Sequence, residues 1–205
     1  MYSKVFKRMI DIILSIVGLV VLAIPMLVIA IAIKVDDPGP AIFKQKRVGK
    51  DKELFWLYKF RSMKVNTPDI PTHQLTDPDQ YLISIGKFIR KMSLDELPQL
   101  INILKGDMSV IGPRPALWNQ DDLIAERDKY AANAVRPGLT GWAQINGRDE
   151  LEIPVKAKLD GEYVEKMSFV FDIKCFFGTI TSVLKSDGVV EGGTGELNKE
   201  KDKTS

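Results

Sequence analysis

The first apolar block runs from Ile10 to Ile33 and is broken only by Asp11, Ser15, Gly18 and Pro25. A straight helix of that length would reach about 36 Å, enough to cross a hydrocarbon core of about 30 Å. It is too long for the apolar part of a typical cleaved leader, and no small-x-small site follows it. Two features favour a helix that dips in and returns over one that spans, which stays as the alternative. Pro25 removes a backbone donor and clashes with the carbonyl of Val21, bending the helix. Basic residues flank both ends: Lys4, Lys7 and Arg8 before, and Lys34, Lys44, Lys46, Arg47, Lys50 and Lys52 after. A spanning helix usually carries that bias on one side. The Ser15 hydroxyl is a candidate partner for backbone groups freed at the bend, and Asp11 is expected near headgroups or paired.

Beyond this block the periods shorten. "DDPGPAIFKQKRVG" opens with a turn, and "ELFWLYKFRSM" predicts a strand that pairs with Ala41 to Gln45 as a hairpin. Val65 to Gln80 is a polar, proline-studded loop. Ile85, Phe88, Ile89 and Met92 fall at helical spacing, and Leu97, Leu100, Ile101 and Leu104 repeat it. Asn119 to Tyr130 and Leu151 to Lys166 predict helices, the second despite Pro154 and Gly161. Val135 to Arg148 reads as a Gly/Pro-punctuated loop or short strand. Asp172 is expected to cap a helix with Ile173, Phe176, Phe177, Ile180 and Leu184 on one side. That side suits either a membrane surface, with Lys174 and Lys185 at headgroups, or the core. Gly188 to Ser205 is rich in glycine and charge and is expected to be disordered. The fold class is therefore α+β: a re-entrant membrane helix over residues 1–35, a small, mainly helical cytosolic domain over 36–187 with a hairpin and interfacial amphipathic helices, and a tail over 188–205.

Composition narrows the chemistry. The chain has 205 residues, net charge +2, one cysteine (Cys175) and one histidine (His73). Nothing global argues for nucleic acid. A lone Cys excludes an intrachain disulfide and argues against a thiolate metal site, and a lone His in a loop argues against triad chemistry. There is no Walker A motif, no GxGxxG and no internal repeat.

The chemical signal lies in "SLDELPQLINILKGDMSVIGPRP", Ser93 to Pro115. "SLDE" fits a capping box, Ser93 capping and Glu96 bonding back. That leaves Asp95 unexplained and fits poorly with Pro98 past the first turn. The alternative is an acid pair at a helix start, where a phosphate is welcome, an aspartate can act as nucleophile and a second carboxylate can hold Mg²⁺ or take a proton. "GPRP" fixes Arg114 between Pro113 and Pro115, suited to bidentate phosphate binding. Lys59 and Arg61 share one strand face, and Arg90, Arg136 and Arg148 add charge; together these suggest a diphosphate pocket.

"YKFRSM", "SLDELPQLINILKGDMSVIGPRP" and "RPGLTGWAQINGR" resemble the signature blocks of the bacterial sugar transferase family, and more narrowly its small monotopic phosphoglycosyl transferases. The likeness runs from "FKRMIDI" to about "VLKSDGV". The family's helix-break-helix element falls on Ile10 to Ile33 with Pro25 at the break, although its usual preceding serine is Ile24 here. The resemblance implies transfer of a sugar-1-phosphate from a UDP-sugar to polyprenyl (undecaprenyl) phosphate, with release of UMP, on the cytoplasmic face of a bacterial inner membrane. This is an initiating step of capsule, exopolysaccharide or glycoconjugate synthesis. It implies Asp95 as nucleophile carrying a phospho-sugar ester, Glu96 assisting metal or acceptor, and Mg²⁺ on both. Arg90 and Arg114 would bind phosphate. The block carrying Arg136, Gln144, Asn146 and Arg148 would shape the nucleotide-sugar end. A hydrolase using the same acid pair, or a non-catalytic scaffold of glycan assembly, are the other readings.

Overall fold

The computed structural model describes residues 2–67, 78–147 and 151–185. His73, Arg148 and the 188–205 tail therefore lie outside the described residues. A π-helical turn, Tyr2–Phe6, leads into α1 (Lys7–Val21) and α2 (Ala23–Asp36). The two helices meet at Leu22 with a 62° bend. The break falls at Leu22, beside the Val21 carbonyl that Pro25 cannot bond, and Pro25 itself sits in the first turn of α2. Ser15 does not serve the bend: its hydroxyl donates to the Asp11 carbonyl one turn back, at 2.6 Å. No single described helix is long and apolar enough to cross a membrane, whereas this bent pair passes by length and composition, as a broken span or a re-entrant loop.

The predicted hairpin is present. β1 (Ile42–Val48) pairs antiparallel with β2 (Leu54–Phe60), from Ile42 opposite Phe60 to Val48 opposite Leu54. Asp51 and Lys52 take positive φ in the connection. The polar stretch after Arg61 ends in a 3₁₀ turn, Pro78–Tyr81. Then follow α3 (Gly86–Lys91), a 3₁₀ turn (Leu94–Glu96), α4 (Gln99–Lys105) and β3 (Ser109–Ile111). The expected helix beginning at Ser93 is thus split at Pro98, which starts α4 instead of kinking it. α5 (Asp121–Asp128) lies within Asn119 to Tyr130, and β4 (Gly138–Thr140) runs parallel to β3. α6 (Trp142–Ile145) precedes α7 (Ile153–Lys166) and α8 (Phe169–Lys185). Pro154 lies in the first turn of α7, where proline is welcome, and Gly161 lets that helix close on Tyr130, whose Cβ would be 2.5 Å from an added methyl.

α1 and α2 share the core of the remaining chain. Ile29 and Ile33 pack with Phe60, Ile83 and Ile89, and Leu19 and Leu22 pack on Leu57, Leu100, Ile103 and Met108. Asp11 is buried and paired: its Oδ1 accepts from Ser109 Oγ (3.0 Å) and from the Val110 N–H (2.9 Å), fixing α1 to β3. Lys7 is not a headgroup anchor. It donates to Asp172 Oδ2 at 2.6 Å, beside the Tyr2 hydroxyl at 2.6 Å, while Tyr163 donates to Asp172 Oδ1 at 2.8 Å. Arg8 likewise turns inward and caps the end of α4 through the carbonyls of Ile103 (2.5 Å) and Leu104 (2.9 Å). Asp172 therefore is a buried tie, not a cap; the Ser168 Oγ accepts from the Phe171 N–H at the start of α8.

The predicted apolar faces of α3 and α4 are only partly core, and the described residues of the predicted α8 face all look outward. Ile89 is fully buried while Phe88 and Met92 are exposed; Leu100 and Ile103 are buried while Ile101 and Leu104 are exposed. On α8, Cys175 is buried whereas Phe169, Val170, Ile173, Phe176, Phe177 and Ile180 are exposed. Val20, Val21, Ile24, Leu27 and Ile31 of α1–α2 are also outside, so large apolar side chains of both segments face away from the core.

Candidate active site

The acid pair stands on the short turn between α3 and α4. Ser93 adopts a left-handed conformation (φ 53°, ψ 21°) and its side chain makes no cap bond, so the capping box does not form. Left-handed serine is unfavourable, and such strain gathers where side chains must be aimed. The turn buries both carboxylates, Asp95 at 8% and Glu96 at 6% exposure.

Two cations converge on them. Lys59, on β2, donates to Glu96 Oε1 at 3.1 Å and lies 3.7 Å from Asp95 Oδ2, beyond hydrogen-bond reach. Arg114 donates to the same Glu96 oxygen at 2.9 Å. Glu96 is thereby oriented, whereas Asp95 is held more loosely. Burial pushes the Asp95 carboxyl above the ordinary carboxylate range; the charge of Lys59 pulls against that, Glu96 adds to it, and Arg90 and Arg114 oppose it.

Each cation is placed by backbone logic that the sequence motifs encode. Lys59 keeps its register because Asn102 of α4, fully buried, acts as a strand partner to β2: its Oδ1 accepts from the Tyr58 N–H (3.0 Å) and its Nδ2 donates to the Trp56 carbonyl (2.7 Å). Arg114 is clamped on both sides. The Gly112 N–H bonds the Thr140 carbonyl and the Gly138 N–H bonds the Pro113 carbonyl, each at 2.8 Å. Arg47 Nη1 holds the Pro115 carbonyl at 3.0 Å, and both flanking prolines are buried. A Cβ on Gly138 would lie 2.1 Å from the Gly112 nitrogen, so this approach of "GPRP" to "RPGLTG" requires glycine.

The other expected residues disperse. Arg61, one residue past β2, is buried on Asp37, its Nη1 at 2.9 Å from Oδ2, with Nη2 on the Asp37 carbonyl. Arg136 donates to the Gly106 carbonyl at 2.9 Å, at the end of α4 remote from the acid pair. Asn146 donates back to the Trp142 carbonyl at 2.7 Å. Gln144 does reach the site. It lines a cavity of about 360 Å³ that also touches Ser93 and Glu96, and its Oε1 is buried without a partner among the described residues. Asn102 was not singled out by sequence, although a buried Asn beside apolar helical positions was an available signal; Asp11 and Arg47 were read only for their place beside the membrane block, not as residues that tie elements of the site.

No group of three or more His, Cys, Asp or Glu that could hold an ion occurs among the described residues. Magnesium commonly binds one or two carboxylates and completes its shell with substrate phosphates and water. Asp95 and Glu96 fit an ion that arrives with a phosphate, not a resident protein cage.

A family model described as bacterial sugar transferase matches residues 2–186. The chain is 40% identical over 191 residues to the UDP-glucose:undecaprenyl-phosphate glucose-1-phosphate transferase of Escherichia coli (strain K12), covering 87% of this chain and 40% of that protein. It is 40% identical over 185 residues to an uncharacterized sugar transferase of Bacillus subtilis (strain 168), covering 90% of both. It is 37% identical over 201 residues to the undecaprenyl-phosphate galactose phosphotransferase of Salmonella typhimurium, covering 91% of this chain and 42% of that protein. The chain thus spans about two fifths of the length of the first and third relatives and nearly all of the second. With the match running through the acid pair, the "GPRP" clamp and the bent helices alike, the chain belongs to the bacterial sugar transferase family.

Proposed function

We propose that the chain transfers a sugar-1-phosphate from a UDP-sugar to polyprenyl phosphate at the cytoplasmic face of a bacterial inner membrane, releasing UMP. The observation that carries this is the buried Asp95–Glu96 pair facing Lys59 and Arg114, in a member of this family. The names of the E. coli and Salmonella relatives, which specify undecaprenyl phosphate as acceptor, support it. Asp95, the less tightly held carboxylate, attacks the β-phosphorus of the donor. The bond from that phosphorus to the bridging oxygen breaks, UMP leaves, and an aspartyl phospho-sugar remains. An oxygen of the polyprenyl phosphate then attacks the same phosphorus and the Asp95 carboxylate leaves, giving a polyprenyl diphospho-sugar. A phosphate monoester is largely dianionic near pH 7, so the acceptor needs little help from a base. Glu96 instead orients Lys59 and Arg114 towards the transferring phosphoryl group, where fixed positive charge lowers the barrier. When bound by Asp95, Glu96 and phosphate oxygens, Mg²⁺ supplies further neutralisation of that charge.

The setting explains the fold. The donor is polar and the acceptor's phosphate lies at headgroup depth, so the site must sit at the interface. We read α1–α2 as re-entrant, returning the chain to the side it entered. Product analysis tests the reaction. Purified protein given UDP-sugars and polyprenyl phosphate should yield lipid diphospho-sugar and UMP in equal amounts, and Asp95→Asn should yield neither. Free sugar phosphate without lipid product would favour the hydrolase, and full activity in Asp95→Asn the scaffold.

A further inference from the structure

Resting on that reading, we propose that the cavity beside Glu96 holds the isoprene units of the acceptor nearest its phosphate, rather than the sugar of the donor. The cavity lies between β3, β4, α6 and α8, and at about 360 Å³ it is within the usual range for small ligands. Its walls are mainly apolar, built from Leu97, Val110, Leu139, Ile145, Phe176 and Ile180. Among the polar wall groups Glu96, Thr140 and Thr179 are engaged, while Ser93, Ser182 and Gln144 also face the cavity. Thr140 and Thr179 hydroxyls bond each other at 2.7 Å, and the Thr179 hydroxyl also reaches the Cys175 carbonyl at 2.7 Å. The unpartnered Gln144 Oε1 and two serine hydroxyls are few against an apolar wall, and a sugar placed here would bury several hydroxyls with too few partners. An isoprenoid asks for none.

Both ends agree with this occupant. Glu96 at one end is where Lys59 and Arg114 meet, the charge that an attached phosphate requires. Phe176 and Ile180, each 44% exposed, belong to the outward apolar face of α8 that continues through Ile173 and Phe177. A lipid tail can therefore pass from the cavity along that face without crossing a polar barrier. The phosphate-proximal units, not the whole lipid, are what the volume admits.

The test uses the full chain in nanodiscs and a polyprenyl phosphate carrying a diazirine on the isoprene unit next to the phosphate. In Asp95→Asn, which keeps the cavity but cannot turn over, irradiation should label cavity residues of α8 and β4, with unlabelled polyprenyl phosphate competing. In parallel, Ile180→Trp should raise the KM for acceptor by on the order of tenfold, the scale of one apolar contact, with a much smaller change in the KM for donor. Label confined to α1–α2, or a donor KM that rises as much as that for acceptor, would overturn the assignment. Absence of any lipid product from the unmutated chain would instead defeat the reaction reading, while the labelling map still decides the cavity.

Discussion

Asp95 and Glu96 are chemically alike and sequence neighbours, yet their surroundings separate them. Glu96 takes two charge-assisted hydrogen bonds through one oxygen, whereas Asp95 meets Lys59 only at 3.7 Å. In the proposed reaction only the ionised Asp95 attacks, and burial raises its carboxyl, so the donor step should fail on acidification at a pH above the ordinary aspartate value of about 4. Glu96→Gln removes a like charge and should move that acid limb to lower pH. Lys59→Met removes an attracting charge and should move it higher, and pH profiles of the donor step read both directions. Arg114→Lys should lose most of the activity too, since an ammonium cannot reproduce the guanidinium fork set between Pro113 and Pro115. Cys175 is fully buried and its thiol is pushed up to about 11 by burial first and then by Asp172, so alkylating reagents at pH 8 should modify it only in the unfolded chain.

Among the elements, α4 does the positioning. Asn102 on its buried face fixes β2, and its N-terminal approach carries the acid pair; Arg8 and Arg136 tie down its far end through the carbonyls of Ile103, Leu104 and Gly106. Asn102→Ala leaves the Tyr58 N–H and the Trp56 carbonyl without that partner and should cost about 1–3 kcal/mol of stability in a denaturant melt. It should also slow the donor step, because Lys59 loses its register. Several elements were legible in the sequence: the β1–β2 hairpin from its aromatic-rich second strand, and the helices α5 and α7, the latter despite Pro154, which turns out to sit harmlessly in its first turn. The β3–β4 pair was not, since three-residue strands joined in parallel depend on contacts remote in sequence. Nor were Arg61 and Arg136 separable from Lys59 and Arg114. All four are basic residues in signature blocks, and only the fold shows that the first two are engaged by Asp37 and by the end of α4. Periodicity located the apolar faces of α3, α4 and α8 but could not say which positions of α3 and α4 meet the core, nor that the α8 face looks out.

At the scale of the molecule, the bent α1–α2 pair is bound into the rest of the fold by Asp11 to β3 and by Lys7 to Asp172, so the pair and the site share one structure. If the pair is re-entrant, tags at residues 1 and 205 should both be unreactive to impermeant reagents on intact cells; labelling of the N-terminal tag alone would mean a spanning helix. In the proposed reaction a carboxylate of this chain holds the cargo between donor and lipid. The most direct measurement incubates the purified chain with UDP-sugar and no acceptor, then reads UMP release and intact mass. About one UMP per active chain should appear together with a mass increase equal to one sugar phosphate, localised to the Asp95 peptide and absent in Asp95→Asn. Lipid-linked product formed normally, with neither UMP nor adduct in the acceptor's absence, would contradict that reaction.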